Sequence, residues 1–246
     1  MKRREILDYL NVLFQYRENT EKYATNGLQV EGNDEVQSIA FSVDASFGII
    51  QKAVKENVDM LICHHGIFWP SLFSIEGQVK EKIQLFLENE ISLVGMHLPL
   101  DRQPEIGNNI CLANILEGEN IREIASISYY GDWKMKKTIR EIANILQEKL
   151  MGPIKLFDFS DGKAGSFVVC SGSGSSELRL LEQGDCEVFI TGELRYEAID
   201  EAKYKKISLI SAGHYATETT GIQALQRKMS TELNLKTLFI EDRVDY

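Results

Sequence analysis

Apolar residues recur along this chain in two rhythms that alternate. Ile6, Leu7, Leu10, Leu13 and Phe14 share one face at helical spacing, which predicts an amphipathic core helix at the N-terminus. Continuous apolar runs predict strands over 36–44, 58–65 and 91–97, and helix-patterned stretches lie at 45–57, 77–90 and 107–118. The second half, starting near Ala125, repeats the theme. Its expected elements are helix 138–150, strands 154–159 and 164–172, helix 175–184, strand 186–192, helix 193–205, strand 206–214, helix 216–233 and strand 235–242. Apolar strands alternating with helices predict an α/β fold of mainly parallel sheets with helices on both faces. VDMLICHHG and CEVFITGEL echo each other, which suggests two related α/β halves.

Composition narrows the function classes. Of 246 residues, 43% are apolar and 26% charged, the profile of an ordinary globular chain. The net charge is −10, and KRR at the start and KMKK at 134–137 are too short to form a basic patch, so no nucleic-acid partner is expected. No apolar stretch approaches ~18 residues, so no membrane span is expected. Glu5 and Asp8 interrupt the basic-then-apolar start, which argues against a signal peptide. Cys63, Cys111, Cys170 and Cys186 form no CxxC pair and predict reduced thiols in a cytoplasmic protein.

The four histidines, His64, His65, His97 and His214, all fall at the carboxyl ends of apolar strands. In open α/β sheets that is where ligand crevices form. A lone histidine is more often a hydrogen-bonded structural residue, but the whole complement sharing this position points to metal binding. Carboxylates accompany them: Asp101 in HLPLD and Glu218 in HYATE, each four residues after a histidine. Pro99 favours a loop for HLPLD, whereas HYATE is placed to open a helix. Imidazole and carboxylate donors without thiolate suit Zn, Mn, Fe, Co or Ni. Three imidazoles and two carboxylates suit two ions ~3.5–4 Å apart, with Glu218 as the expected bridge. A mononuclear site with three ligands is the alternative. Adjacent His64 and His65 point apart in an extended strand and can serve two ions if the chain turns at Gly66. SGSGSS (171–176) is either a plain glycine-rich turn or a backbone cradle for phosphate. In TGELRYE, Glu193, Arg195 and Tyr196 either line the same crevice or begin a solvated helix capped by Thr191.

Taken together, NGLQVEG (26–32), SVDAS (42–46), ICHHGIFW (62–69), GMHLPLD (95–101), GNN (107–109), SGSGSS, ITGE (190–193) and AGHYATE (212–218) resemble one known family. It is that of the GTP cyclohydrolase 1 type 2 homologues, also called Nif-three-like dinuclear-metal-centre hexameric proteins, in its short bacterial form. The resemblance implies two metal ions per subunit held by His64, His65, Asp101, His214 and Glu218. It makes His97 a pocket residue beside them, a proton donor or substrate contact. It also implies two interlocked α/β domains in a toroidal homohexamer. The expected division is a metal-ligand domain of 1–124 plus 212–246 and a second α/β domain of 125–211. The expected activity is metal-dependent hydrolysis of a nucleotide or another phosphorylated small molecule. The competing reading is a non-enzymatic metal carrier, regulator or assembly platform.

Overall fold

A computed structural model of the protein describes residues 1–18, 20–70, 74–160 and 162–243. In chain order the elements begin with α1 (Arg3–Phe14), β1 (Gly27–Val30), β2 (Ser38–Asp44), α2 (Phe47–Lys55), β3 (Met60–His65), α3 (Gly77–Glu88), β4 (Ser92–Gly95) and α4 (Leu98–Arg102). There follow α5 (Asn108–Ile115), β5 (Glu119–Ile124), β6 (Ser128–Lys137), α6 (Ile139–Leu150), β7 (Lys155–Phe157) and β8 (Ala164–Cys170). A 3₁₀ helix (Gly174–Leu180), β9 (Val188–Thr191), α7 (Tyr196–Lys205), β10 (Ser208–Ser211), α8 (His214–Leu233) and β11 (Lys236–Phe239) complete the chain.

Two units result: Met1–Gln103 with Ile222–Asp242, and Pro104–Gly221 with the end of the chain. These limits differ from the expected 124/125 and 211/212. Leu112, Ala113 and Leu116 around α5, and Ala216 in the first turn of α8, are built into the core of the second unit.

The first unit holds a sheet in the order β1-β4-β3-β2-β11, parallel except for β1. Ala40, Leu61, Cys63 and Leu93 face a core shared with Ile49, Ile50 and Ala53 of α2 and Phe86 of α3. Their strand neighbours Ile39, Phe41, Ile62 and Val94 point to the opposite face and are also buried, so helices cover both sides. Ser46 starts α2 by accepting the Ile49 N–H, a side-chain cap.

The second unit follows the order β5-β6-β8-β9-β10-β7. Only β8-β9-β10 is parallel, and the strands outside it run antiparallel. Phe167, Val169, Val188, Ile190 and Ile210 bury against α5 and α6. The alternate residues Val168, Cys170, Phe189 and Leu209 bury against α7 and Leu178 of the 3₁₀ helix. Trp133 packs on Phe167 with ring centroids 4.6 Å apart and donates to the Leu116 carbonyl at 2.8 Å. Thr138 and Glu141 form the capping box that begins α6.

The fold is thus α/β with parallel sheet centres, as expected, with more antiparallel edge than the pattern suggested. The stretch 175–184 tightens into 3₁₀ geometry over Gly174–Leu180, where glycine and two serines offer weak α-helical propensity. No described helix is long and apolar enough to cross a membrane.

Candidate metal centre

In the first unit the donors are delivered by strand register. β3 ends at His64 and His65, and pairing with β2 sets Asp44 opposite His65. His65 Nδ1 lies 2.8 Å from Asp44 Oδ1, and His64 Nδ1 lies 3.0 Å from the Met96 carbonyl beyond β4. Although neighbouring strand residues normally diverge, the strand stops here, and the two rings sit 4.5 Å apart. The His97 ring lies 5.1 Å from that of His64 and 5.6 Å from that of His65. One potential ligand atom from each of the three imidazoles falls within 4.8 Å of the others, a group able to hold a cation. Asp101 Oδ2 is 3.7 Å from His64 Nε2, and both residues are buried.

HLPLD is helical rather than the expected loop. Pro99 sits in the first turn of α4, where its missing N–H has no intrahelical partner to lose, and Asp101 falls in that turn. Gly66 matters for its lack of a side chain: a Cβ there would collide with the Gln29 amide. That amide accepts the Ile67 N–H at 2.7 Å, so NGLQ braces the turn after the histidines. Trp69 donates to the Gly66 carbonyl, and its ring lies 5.7 Å from His65 and 5.4 Å from His97.

In the second unit the donors come from one helical turn. β10 leads through Gly213 into α8, which starts at His214 and so places HYATE on its first turn. His214 Nε2 lies 3.1 Å from Glu218 Oε1, and His214 Nδ1 lies 3.2 Å from Glu193 Oε2. Glu193 in turn accepts from Ser173 Oγ at 2.7 Å. Burial works against an imidazolium at His214, but the Glu218 and Glu193 carboxylates outweigh it and raise its pKa to about 9.

Three backbone donors of the phosphate-cradle alternative for SGSGSS are already engaged. Ser171 N–H is taken by Asn109 Oδ1 at 2.6 Å, Gly172 N–H by Thr217 Oγ1 at 3.0 Å, and Gly174 N–H by Thr191 Oγ1 at 3.1 Å. The loop instead walls the half-site. Gly172 has φ +57°, and a Cβ there would press onto Glu218 Oε1 and His214 Nε2. Thr191 therefore laces β9 to this loop and does not cap a helix, since α7 begins later, after Arg195. Of the TGELRYE residues, Glu193 reaches the half-site while Tyr196 is 89% exposed. Asn108 of GNN accepts the Gly221 N–H at 2.7 Å, holding α8 in place.

Sequence reasoning left Asp44 and Glu193 without assigned roles and missed Gly172 and Glu21. All four imidazoles obey one rule. Nδ1 is held by an oxygen acceptor: Met96 O for His64, Asp44 for His65, Glu21 for His97 and Glu193 for His214. In a neutral ring, an acceptor on Nδ1 fixes the tautomer whose other nitrogen, Nε2, carries the lone pair, the usual arrangement around metal-binding histidines. The donors are imidazole nitrogen and carboxylate oxygen, which fits a borderline divalent cation. The three buried cysteines Cys63, Cys170 and Cys186 take no part, and burial pushes the thiols of Cys63 and Cys186 up to about 12.

A family model described as Duf34/NIF3 (NGG1p interacting factor 3) matches residues 1–245. The chain belongs to the Duf34/NIF3 family. Among its relatives, the GTP cyclohydrolase 1 type 2 homolog of Pyrococcus abyssi is 36% identical over 98% of both chains. The Escherichia coli K12 protein of the same name is 35% identical over 89% of this chain and 90% of its own. Among solved structures, one from Thermus thermophilus superposes with a TM-score of 0.94 at 30% identity, covering all of both chains. Protein ybgI, described as of unknown function, does so with a TM-score of 0.94 at 31% identity, again covering both chains fully.

Proposed function

We propose that this Duf34/NIF3 protein binds two divalent cations through His64, His65, Asp101, His214 and Glu218 and hydrolyses a nucleotide or another phosphorylated small molecule. The observation that carries the reading is the shared orientation of the imidazoles, each pinned at Nδ1 by an oxygen acceptor. The donor chemistry and family membership support it further. Bound cations would supply Lewis acidity, lowering the pKa of a water and offsetting negative charge on the substrate. The protein's own groups do the rest. Asp44 and Glu193 hold His65 and His214 in ligand orientation, Glu218 would contribute its carboxylate to holding the cations, and His97 holds and moves a proton beside the ligands. The subunits assemble as a toroidal homohexamer, to be checked by native mass spectrometry.

The test is turnover. Protein loaded with Mn or Zn is offered a panel of nucleotides and phosphoesters, with GTP ring opening included because the relatives bear that name. Metal analysis should return two ions per chain. Glu218→Ala should lower the rate at least ~100-fold, and equal rates in variant and wild type would refute the mechanism.

A further inference from the structure

We propose that Glu21 is the positioning residue of this centre: its buried carboxylate locks His97 into the Nδ1–H tautomer and anchors the turn that carries Asp101. The inference rests on the reading of His97 as the proton-carrying residue.

Glu21 belongs to a stretch without regular structure between α1 and β1, yet its side chain is only 4% exposed. Carboxylates are rarely buried on such segments, because the ion loses its hydration unless donors replace it. Here the replacement is complete in kind. Glu21 Oε1 lies 2.6 Å from His97 Nδ1, and Oε2 accepts the Leu98 N–H at 2.9 Å and the Asn26 amide at 3.0 Å. Burial alone favours the neutral acid, but His97, Asn26 and Leu98 together hold the group below its ordinary pKa, so it is ionised.

An ionised carboxylate can only accept. The hydrogen at the 2.6 Å contact therefore belongs to His97 Nδ1, and Nε2 is the ring atom left to exchange protons. The backbone of His97 is gripped as well, its N–H donating to Asn26 Oδ1 at 2.7 Å. Leu98 N–H is one of the helix-start donors that lack an intrahelical acceptor, and the residue before it supplies no side-chain cap. Glu21 fills that place. The His97 carbonyl in turn receives the Leu100 and Asp101 N–H groups at 2.9 and 3.3 Å, so the turn bearing Asp101 hangs from the residue Glu21 holds.

Glu21→Gln separates this role from simple packing. The Leu98 and Asn26 donors are fixed and claim the amide oxygen, which turns the amide NH₂ toward His97 Nδ1. The only tautomer that matches is Nε2–H. The experiment uses the full chain with ¹⁵N-labelled histidine, zinc-loaded, and reads long-range ¹H–¹⁵N correlations as the pH is raised until the His97 pattern is that of a neutral ring. His97→Gln identifies the His97 signals among the four histidines. Wild type should carry its proton on Nδ1 and Glu21→Gln on Nε2, with kcat lowered about 100-fold and KM little changed. Asn26→Ala, which leaves Glu21 in place, should keep Nδ1–H. A wild-type Nε2–H ring, the same tautomer in wild type and Glu21→Gln, or a flip in Asn26→Ala overturns the proposal. If Glu21→Gln does not fold, the wild-type and Asn26→Ala spectra still decide. The spectrum does not depend on turnover, so an inactive wild type would sink the hydrolytic reading and leave this assignment standing.

Discussion

The two groups of candidate ligands are built by opposite means. In the first unit, neighbouring parallel strands end together, and their register brings Asp44, His64 and His65 to one edge. In the second, His214 and Glu218 come from a single helical turn, and i, i+4 spacing does the same work. The sheet-built half gathers three imidazoles, whereas the helix-built half surrounds one imidazole with two carboxylates. The same arrangement, an imidazole with an oxygen acceptor at Nδ1, is met by unrelated local geometry. The difference in charge shows in the absence of a cation. At His214, Glu193 and Glu218 then favour imidazolium near neutral pH.

The sharpest way to break the helix-built half alone is Gly172→Ala. The new Cβ meets Glu218 and His214 and must adopt a left-handed backbone. Loss of about 1–3 kcal/mol of stability is expected, together with loss of the cations that depend on Glu218. Thermal unfolding and metal stoichiometry check both. If this variant retains two ions per chain at wild-type affinity, the loop does not wall the half-site.

Removing the supporting acceptors compares the halves directly. Asp44→Ala should weaken zinc binding ~10–100-fold, the usual cost of losing a partner behind a ligating histidine. Glu193→Gln should cost less, since its contact to His214 is 3.2 Å against 2.8 Å for Asp44 and His65. Competition titration with a chromogenic chelator measures the order, and a larger loss in Glu193→Gln would reverse the comparison.

A smaller effect should appear with pH in the metal-free protein. The pKa of His214 rises from an ordinary 6.5 to about 9 when folded, so its pairing with the carboxylates stabilises the fold fully below pH 6.5. That contribution, on the order of 3 kcal/mol, is lost as pH rises through about 9. Denaturant midpoints across pH 6–10 should fall for wild type and stay flatter for His214→Gln. The smallest difference is expected at the thiols. With pKa values near 12, Cys63 and Cys186 should resist alkylation at pH 8 equally in both units, as mass spectrometry after brief iodoacetamide treatment can show.

The candidate ligands were legible because histidine is scarce in this chain and every copy follows an apolar strand. The parallel strand–helix alternation was legible for a related reason: doubly covered strands are apolar throughout, as in β3 and β9. What escaped lacked a local signature. β5 is exposed at most positions and reads as a polar segment. HLPLD hid a helical turn because proline is compatible with the first turn and forbidden only further in. Glu21 could not be found from pattern, since it lies in a stretch without periodicity and meets His97 across 76 positions. Thr191 looked like a cap from its place after a strand, but its hydroxyl serves the Gly172 loop.

Only two tryptophans occur in the chain, and their settings differ. Trp69 stands edge-on to His97, at 5.4 Å between ring centroids, whereas Trp133 is packed against Phe167. Intrinsic fluorescence is therefore a built-in gauge of the imidazole cluster. A paramagnetic ion such as Mn or Co should quench the indole beside the histidines, while Trp133→Phe removes the other emitter and leaves a single-probe protein for following occupancy in real time.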